Sequence, residues 1–430
     1  MAREMLHELG LGVNWVMEPV ANCHRTGNHL GIQPHGLKDT LEFFCEDIEE
    51  VTGVSIEPPI NKKGAEVLFV TPSGDFLAEP GTFTCMGYMM LFHELGLDYT
   101  WSTYASEGGN FGLFTSNEMM KKLNAKMYAE AERLGVKWIL GGECGHMWRV
   151  IHQYMDTMNG PADFMEEPVN PITGTKFENA KSTKMVHITE FTADLLKHGK
   201  LDLDVSRNDN LKVTFHDSCN PSRGMGLLDE PRYVIQNVCN HFYEMPENTI
   251  REQTFCCGSG AGLNAGEDME LRLSGGLPRA NAVKHVHEKH GVNMLACICA
   301  IDRAALRWHM SDRSIPFGET TSVQPVVCEL GLSPIPARGT QFGQPLKFAY
   351  HMNALKFADY LTEIGTSRGV KHYLDHVTDV EMAENGNIAA VLTKGGERLE
   401  ADLFVDCTGF AGLLIASMLA EHAAGAGQGA

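Results

Sequence analysis

The sequence predicts an α/β protein: two related cysteine-bearing α/β units facing a cleft, followed by a C-terminal α+β fragment. Three observations predict it. Short, wholly apolar runs ending in Gly- or Pro-rich turns alternate with helical stretches, as parallel strands alternate with crossover helices. The pattern recurs about 150 residues later, with cysteines at matching places. After about Leu306 the composition changes, and Pro325, Pro334, Pro336 and Pro345 break the chain before a helix and a hairpin begin.

Residues 1–64 read as an irregular, linker-like region that ends at Pro58-Pro59. The first unit, 65–205, opens with the strand Val67 to Val70, closed by Pro72-Ser73-Gly74. A helix from Asn117 to Leu134, with Asn117 as cap, leads to a strand from Val136 to Leu140 and then Gly141-Gly142-Glu143-Cys144-Gly145-His146. The second unit, 206–306, repeats this order. A strand from Leu211 to Phe215 ends in His216-Asp217-Ser218-Cys219, and a helix from Glu230 to His241 precedes the turn Cys256-Cys257-Gly258. A helix from Pro278 to His290 then precedes the strand Val292 to Ala296 with Cys297 and Cys299. Ser106-Glu107-Gly108-Gly109-Asn110 holds the place of the Cys256 turn in the first copy, and Cys144 that of Cys297 and Cys299. Only the second copy keeps its full set of thiols.

Residues 307–422 form the third part: a helix from Asn353 to Thr366, strands Val377 to Ala383 and Ile388 to Lys394 around Glu384-Asn385-Gly386-Asn387, and a buried strand Leu403 to Asp406. The Gly/Ala-rich tail 423–430 reads as disordered.

The formal charge of −20 disfavours nucleic acid, which needs a basic footprint, and adsorption to anionic lipid. The chain does not read as membrane-spanning: the most apolar stretch, Leu403 to Ala420, is interrupted by Asp406, Thr408 and glycines. With no charged-then-apolar leader, the expected location is the cytoplasm. Clustered cysteines in a long cytoplasmic chain point to metal or redox chemistry rather than disulfides.

Adjacent thiols reach one site only from an irregular turn, since neighbouring residues on a strand face opposite ways. Small residues after Cys256-Cys257 let that turn approach a bulky group closely. The intervals from Cys219 to Cys256 and from Cys257 to Cys297 are too long for a zinc finger and suit successive loops of one α/β unit. Structural zinc and a buried, inert thiol pair are the alternatives.

With Cys219, Cys256-Cys257-Gly258 and Cys297-Ile298-Cys299, residues 1 to about 305 resemble heterodisulfide-reductase-type iron–sulfur proteins, most closely the K subunit of the complex associated with dissimilatory sulfite reduction. The resemblance implies a noncubane [4Fe–4S] cluster that transforms disulfide or persulfide sulfur in sulfur metabolism. It implies Cys219, Cys256, Cys257 and Cys297 as ligands, then Cys299, with Cys144 completing or flanking the site. His216, His146 and Glu143 are the candidates to manage protons. The implied partners are a membrane cytochrome subunit and a small sulfur-carrier protein. The terminal pair is one residue tighter than the family's Cys-x-x-Cys, which leaves open which of Cys297 and Cys299 ligates.

Residues of about 314–418 resemble an internal fragment of flavin-dependent tryptophan halogenases, through Asn353 to Gly369, Val377-Thr378-Asp379-Val380 and Asp402 to Phe410. The resemblance places Thr408 and Gly409 beside a flavin diphosphate. No Gly-x-Gly-x-x-Gly turn occurs in the chain, and the family's Trp-x-Trp-x-Ile-Pro signature is absent, so neither bound FAD nor halogenation is expected.

Overall fold

A computed structural model describes residues 2–11, 14–72, 74–77, 81–107, 109–142, 144–258, 269–298, 330, 353–383, 385–407 and 414. By internal contacts the chain forms two compact units, Met1–Ser333 and Pro334–Ala430. The tail 423–430, read from sequence as disordered, lies outside the described residues.

The N-terminal region is helical, against the irregular reading: α1 (Ala2–Glu8), α2 (Asn14–Thr26) and α3 (Pro34–Thr52). In α3, Leu37, Leu41, Phe44, Cys45 and Ile48 are buried at three- and four-residue spacing. Pro34 opens that helix, where its missing N–H costs nothing, and Gly53 ends it at φ +73°.

Four parallel strands follow: β1 (Val67–Val70), β2 (Tyr99–Thr100), β3 (Trp138–Gly141) and β4 (Met185–His187), in the order β2-β1-β3-β4. Between them run α4 (Gly74–Leu77), α5 (Gly81–Leu95), α6 (Asn117–Leu134) and α7 (Gly145–Asn159), and α8 (Ile188–Lys197) comes last. Every strand position is buried, as expected where helices cover both faces. Phe69, Trp138 and Val186 meet α3, α5 and α8 on one face, and Leu68, Val70 and Ile139 meet α6 and α7 on the other. Ser116, not Asn117, caps α6: its Oγ accepts from the Met119 N–H at 3.2 Å.

The second half pairs β5 (Val213–His216) with β6 (Met294–Cys297) in parallel, aligning His216 with Cys297. A parallel bridge joins Val213 to Phe242 on the other side of β5. The order Phe242-β5-β6 therefore repeats β2-β1-β3, as the duplication predicts. Helix α9 (Glu230–Val238) stops short of the expected His241. Helix α10 (Met269–His290) begins well before the expected Pro278, which sits inside it.

The C-terminal unit holds α11 (Ala354–Ser367), capped by Asn353, and an antiparallel sheet of β7 (Val377–Met382), β8 (Ile388–Thr393) and β9 (Arg398–Leu399). The expected buried strand at Leu403 to Asp406 does not form. Leu403 and Val405 are 78% and 74% exposed, and the segment joins no sheet among the described residues. A buried parallel strand needs neighbours beside it and helices above and below, and among the described residues of this unit the three-stranded meander supplies neither.

Candidate metal centre

At the end of β5, His216 is buried and Asp217 fully so. The Asp217 carboxylate accepts two hydrogen bonds from Arg232, both 2.7 Å, and one from the Arg251 N–H at 2.8 Å. Arg232 also reaches Glu244 at 2.5 Å. Burial opposes the Arg232 charge, but the bonds to Asp217 and Glu244 prevail and hold its pKa above the ordinary value. The Asp217 carbonyl accepts from Thr254 Oγ1 at 2.7 Å. Asp217 thus ties the Cys219 loop to the arm that carries Cys256.

Two further arginines clamp that arm. Arg279, fully buried, donates to Thr254 Oγ1 at 2.6 Å and to the Thr249 carbonyl. Arg223, four residues after Cys219, donates to the Glu252 carbonyl at 2.9 Å and to that of Thr254. Arg223 lies in a π-helical turn, Asn220–Gly224, a form frequent at functional sites.

Past the arm, Cys256 is exposed and Cys257 buried. Gly258 has φ +87°, and its N–H points to Cys256 Sγ at 3.4 Å. A Cβ on Gly258 would lie 2.9 Å from the Arg272 carbonyl oxygen and 3.2 Å from Gly276 Cα, so the turn rests on the α10 backbone. Arg272 Nε donates to the Gly258 carbonyl at 3.4 Å. Cys219 is exposed, and Cys297, opposite His216, is half-buried.

In the first half, Cys144 is half-buried at φ +59° and precedes α7. The next residue, Gly145, lies against Pro221. Arg149 donates to Asn220 Oδ1 at 3.2 Å, and Gln153 to the Gly224 carbonyl. The Cys144 and Cys219 loops therefore meet. His146 is half-buried, its ring 6.3 Å from that of Phe114. Glu143, Cys299, Thr408 and Gly409 lie outside the described residues.

Cys297 ends β6 and Cys219 follows β5, the Thr254–Asp217 bond ties the arm leading to Cys256 and Cys257 to the Cys219 loop, and Cys144 precedes Gly145, which lies against Pro221. The structure does not close these thiols around one point: among the described residues, no three His, Cys, Asp or Glu side chains could hold a metal ion. The donor set fits an iron–sulfur group in kind, all thiols on successive loops, and the glycine-lined turn leaves a thiol exposed.

Sequence reasoning missed the arginine clamp and the buried contacts that Glu107 and Asp75 make in the first half. Glu107, after β2, accepts from the His29 N–H at 2.6 Å, contacts His29 Nδ1 at 2.5 Å and meets Cys23 Sγ at 3.6 Å. Burial first, and the Glu107 charge second, push the Cys23 thiol up, so it stays protonated. Asp75, after β1, is buried and bonded to Thr71. The alignment of Ser106-Glu107 with the Cys256 turn was the one signal for this set.

Residues 213–300 match the family described as Cysteine-rich domain, and residues 283–426 match Tryptophan halogenase. The larger part of the chain is thus similar to heterodisulfide-reductase-like iron–sulfur subunits. It is 48% identical over 319 residues to the Hdr-like menaquinol oxidoreductase iron-sulfur subunit 2 of Archaeoglobus fulgidus, covering 70% of this chain and 58% of that protein. Over 84 residues it is 40% identical to a dihydromethanophenazine:CoB–CoM heterodisulfide reductase subunit from Methanosarcina mazei, covering 19% of this chain and 20% of that protein. Tryptophan 7-halogenase RebH of Lentzea aerocolonigenes is 38% identical over 107 residues, 25% of this chain and 20% of that enzyme. The chain spans little more than half the length of the Archaeoglobus relative. Among the described residues, no helix is long and apolar enough to cross a membrane.

Proposed function

We propose that the second half holds one noncubane [4Fe–4S] cluster on Cys219, Cys256, Cys257 and Cys297, with Cys299 or Cys144 completing or flanking the site. The protein then serves as a heterodisulfide-reductase-type redox subunit acting on a protein-bound disulfide or trisulfide in sulfur metabolism. The observation that carries this reading is the Asp217 link, which ties the Cys219 loop to the Cys256–Cys257 arm. When bound, the cluster supplies one-electron steps at sulfur. The chain's own part is to hold the thiols with Asp217 and the arginine clamp, to keep Cys256 accessible, and to hold protons on His146, His216 and Glu143.

A membrane cytochrome subunit and a small sulfur-carrier protein are the proposed partners, at the cytoplasmic side of the membrane. The name of the Archaeoglobus relative supports a quinol-linked partner. The redox part ends near residue 306, and 307–422 is a halogenase-like fragment without FAD.

Anaerobic purification followed by iron, sulfide, zinc and flavin analysis and EPR of the oxidised form tests this. About four irons per chain are expected. Stoichiometric zinc or FAD without iron overturns it.

A further inference from the structure

We infer that Arg272 is a positioning residue for the thiol pair: it holds the Cys256–Cys257 turn on α10 and places a fixed positive charge beside the group those thiols take. This rests on the cluster reading above and extends it to the potential at which the site works.

Arg272 and Gly276 are four residues apart, on one face of α10. Gly276 lets the turn come to backbone contact, for a Cβ there would lie 2.8 Å from the Cys257 carbonyl oxygen. One turn away, Arg272 grips the same loop through the Gly258 carbonyl, at 3.4 Å. That bond sets the guanidinium beside the residue that directly follows Cys256-Cys257; burial pulls the Arg272 pKa down, and the charges of Cys257 and Cys256 oppose it. Arginine stays ionised in any such setting.

The chain carries a formal charge of −20, and thiolate ligands add to it. Each electron taken up makes the site more negative. A fixed cation beside two ligands favours that electron, since net charge and hydrogen bonds to sulfur set such potentials.

The test uses the full-length protein purified without oxygen. In an EPR-monitored redox titration, Arg272→Gln should shift the midpoint to lower potential by tenfold or more in the reduction equilibrium, about 59 mV for one electron. Arg272→Lys, which keeps the charge, should restore most of it. A Gln variant with full iron and an unchanged midpoint overturns the inference, as do Lys and Gln variants that shift alike.

The iron-free protein gives a second readout. Alkylation of the Cys256–Cys257 peptide by anionic iodoacetate, relative to neutral iodoacetamide, should fall several-fold in Arg272→Gln and stay near wild type in Arg272→Lys. An unchanged ratio in Arg272→Gln overturns the inference. If the wild-type protein binds no iron, the cluster reading fails, and the alkylation ratio decides the role of Arg272 by itself.

Discussion

Gly145 is pressed against Pro221: a Cβ on Gly145 would sit 2.5 Å from Pro221 Cδ and 2.8 Å from Cγ. These two residues follow Cys144 and Cys219 closely, so the fit of the two loops sets how near the two thiols come. The proline ring cannot swing aside as a long side chain does. Gly145→Ala should therefore destabilise the protein by about 1–3 kcal/mol, the usual cost of overpacking. Urea denaturation measures this, and the iron content should fall with it.

Two neighbouring glycines of α10 should respond in opposite ways. A Cβ on Gly275 meets nothing within 4 Å, whereas one on Gly276 would lie 2.8 Å from the Cys257 carbonyl oxygen. Gly275→Ala should stabilise the protein by up to ~1 kcal/mol through helix propensity alone. Gly276→Ala gains the same propensity but displaces the turn, and should lose both stability and iron. Comparing thermal midpoints with iron content separates the two effects.

Asp217 is the buried hub between the Cys219 loop and the Cys256 arm. Asp217→Asn keeps its shape but leaves the Arg232 guanidinium, 5% exposed, with Glu244 as its remaining carboxylate partner. Breaking a buried ion pair by neutralising one partner costs about 3–5 kcal/mol. Guanidinium denaturation should show a loss of that order, with the cluster signal weakened beforehand as the arm loosens.

Cysteine substitutions test the division of the chain. Cys256→Ser should abolish the EPR signal of the oxidised protein, because Cys256 stands at the tip of the clamped arm. Cys407→Ser should leave the signal intact, since Cys407 belongs to the C-terminal unit. Loss of the signal in Cys407→Ser would place the C-terminal unit in the metal centre.

What the sequence disclosed was whatever local pattern encodes. Val67 to Val70, the helix at Asn117 to Leu134 and the Cys256-Cys257-Gly258 turn were legible because an apolar run, a periodic face and a glycine each act within a few residues. The link from Asp217 to Arg232, Arg251 and Thr254 was not, since its partners lie 15 to 37 residues away and only the folded sheet brings them together. Helix α3 was missed although Leu37, Leu41, Phe44, Cys45 and Ile48 carry its apolar face at three- and four-residue spacing. The strand expected at Leu403 failed because an apolar run reads as buried only if neighbours exist to bury it.

Asp75 should make stability depend on pH. Burial, with the nearby Glu107 charge adding to it, pushes this carboxyl up to about 6 from the ordinary 3.8, against the Thr71 hydroxyl, which lowers it. Below about pH 4 the group is protonated in both the folded and unfolded chain and has no effect. Between 4 and 6 the unfolded chain ionises first, so stability falls as pH rises, and above 6 the whole penalty remains. At 1.36 kcal/mol per pK unit the penalty is about 3 kcal/mol. Asp75→Asn, which can still accept from Thr71, should thus be more stable than wild type at pH 8 and no more stable at pH 4. Urea unfolding at both pH values measures the difference, and an equal gain at pH 4 and pH 8 would show that Asp75 does not titrate in this range.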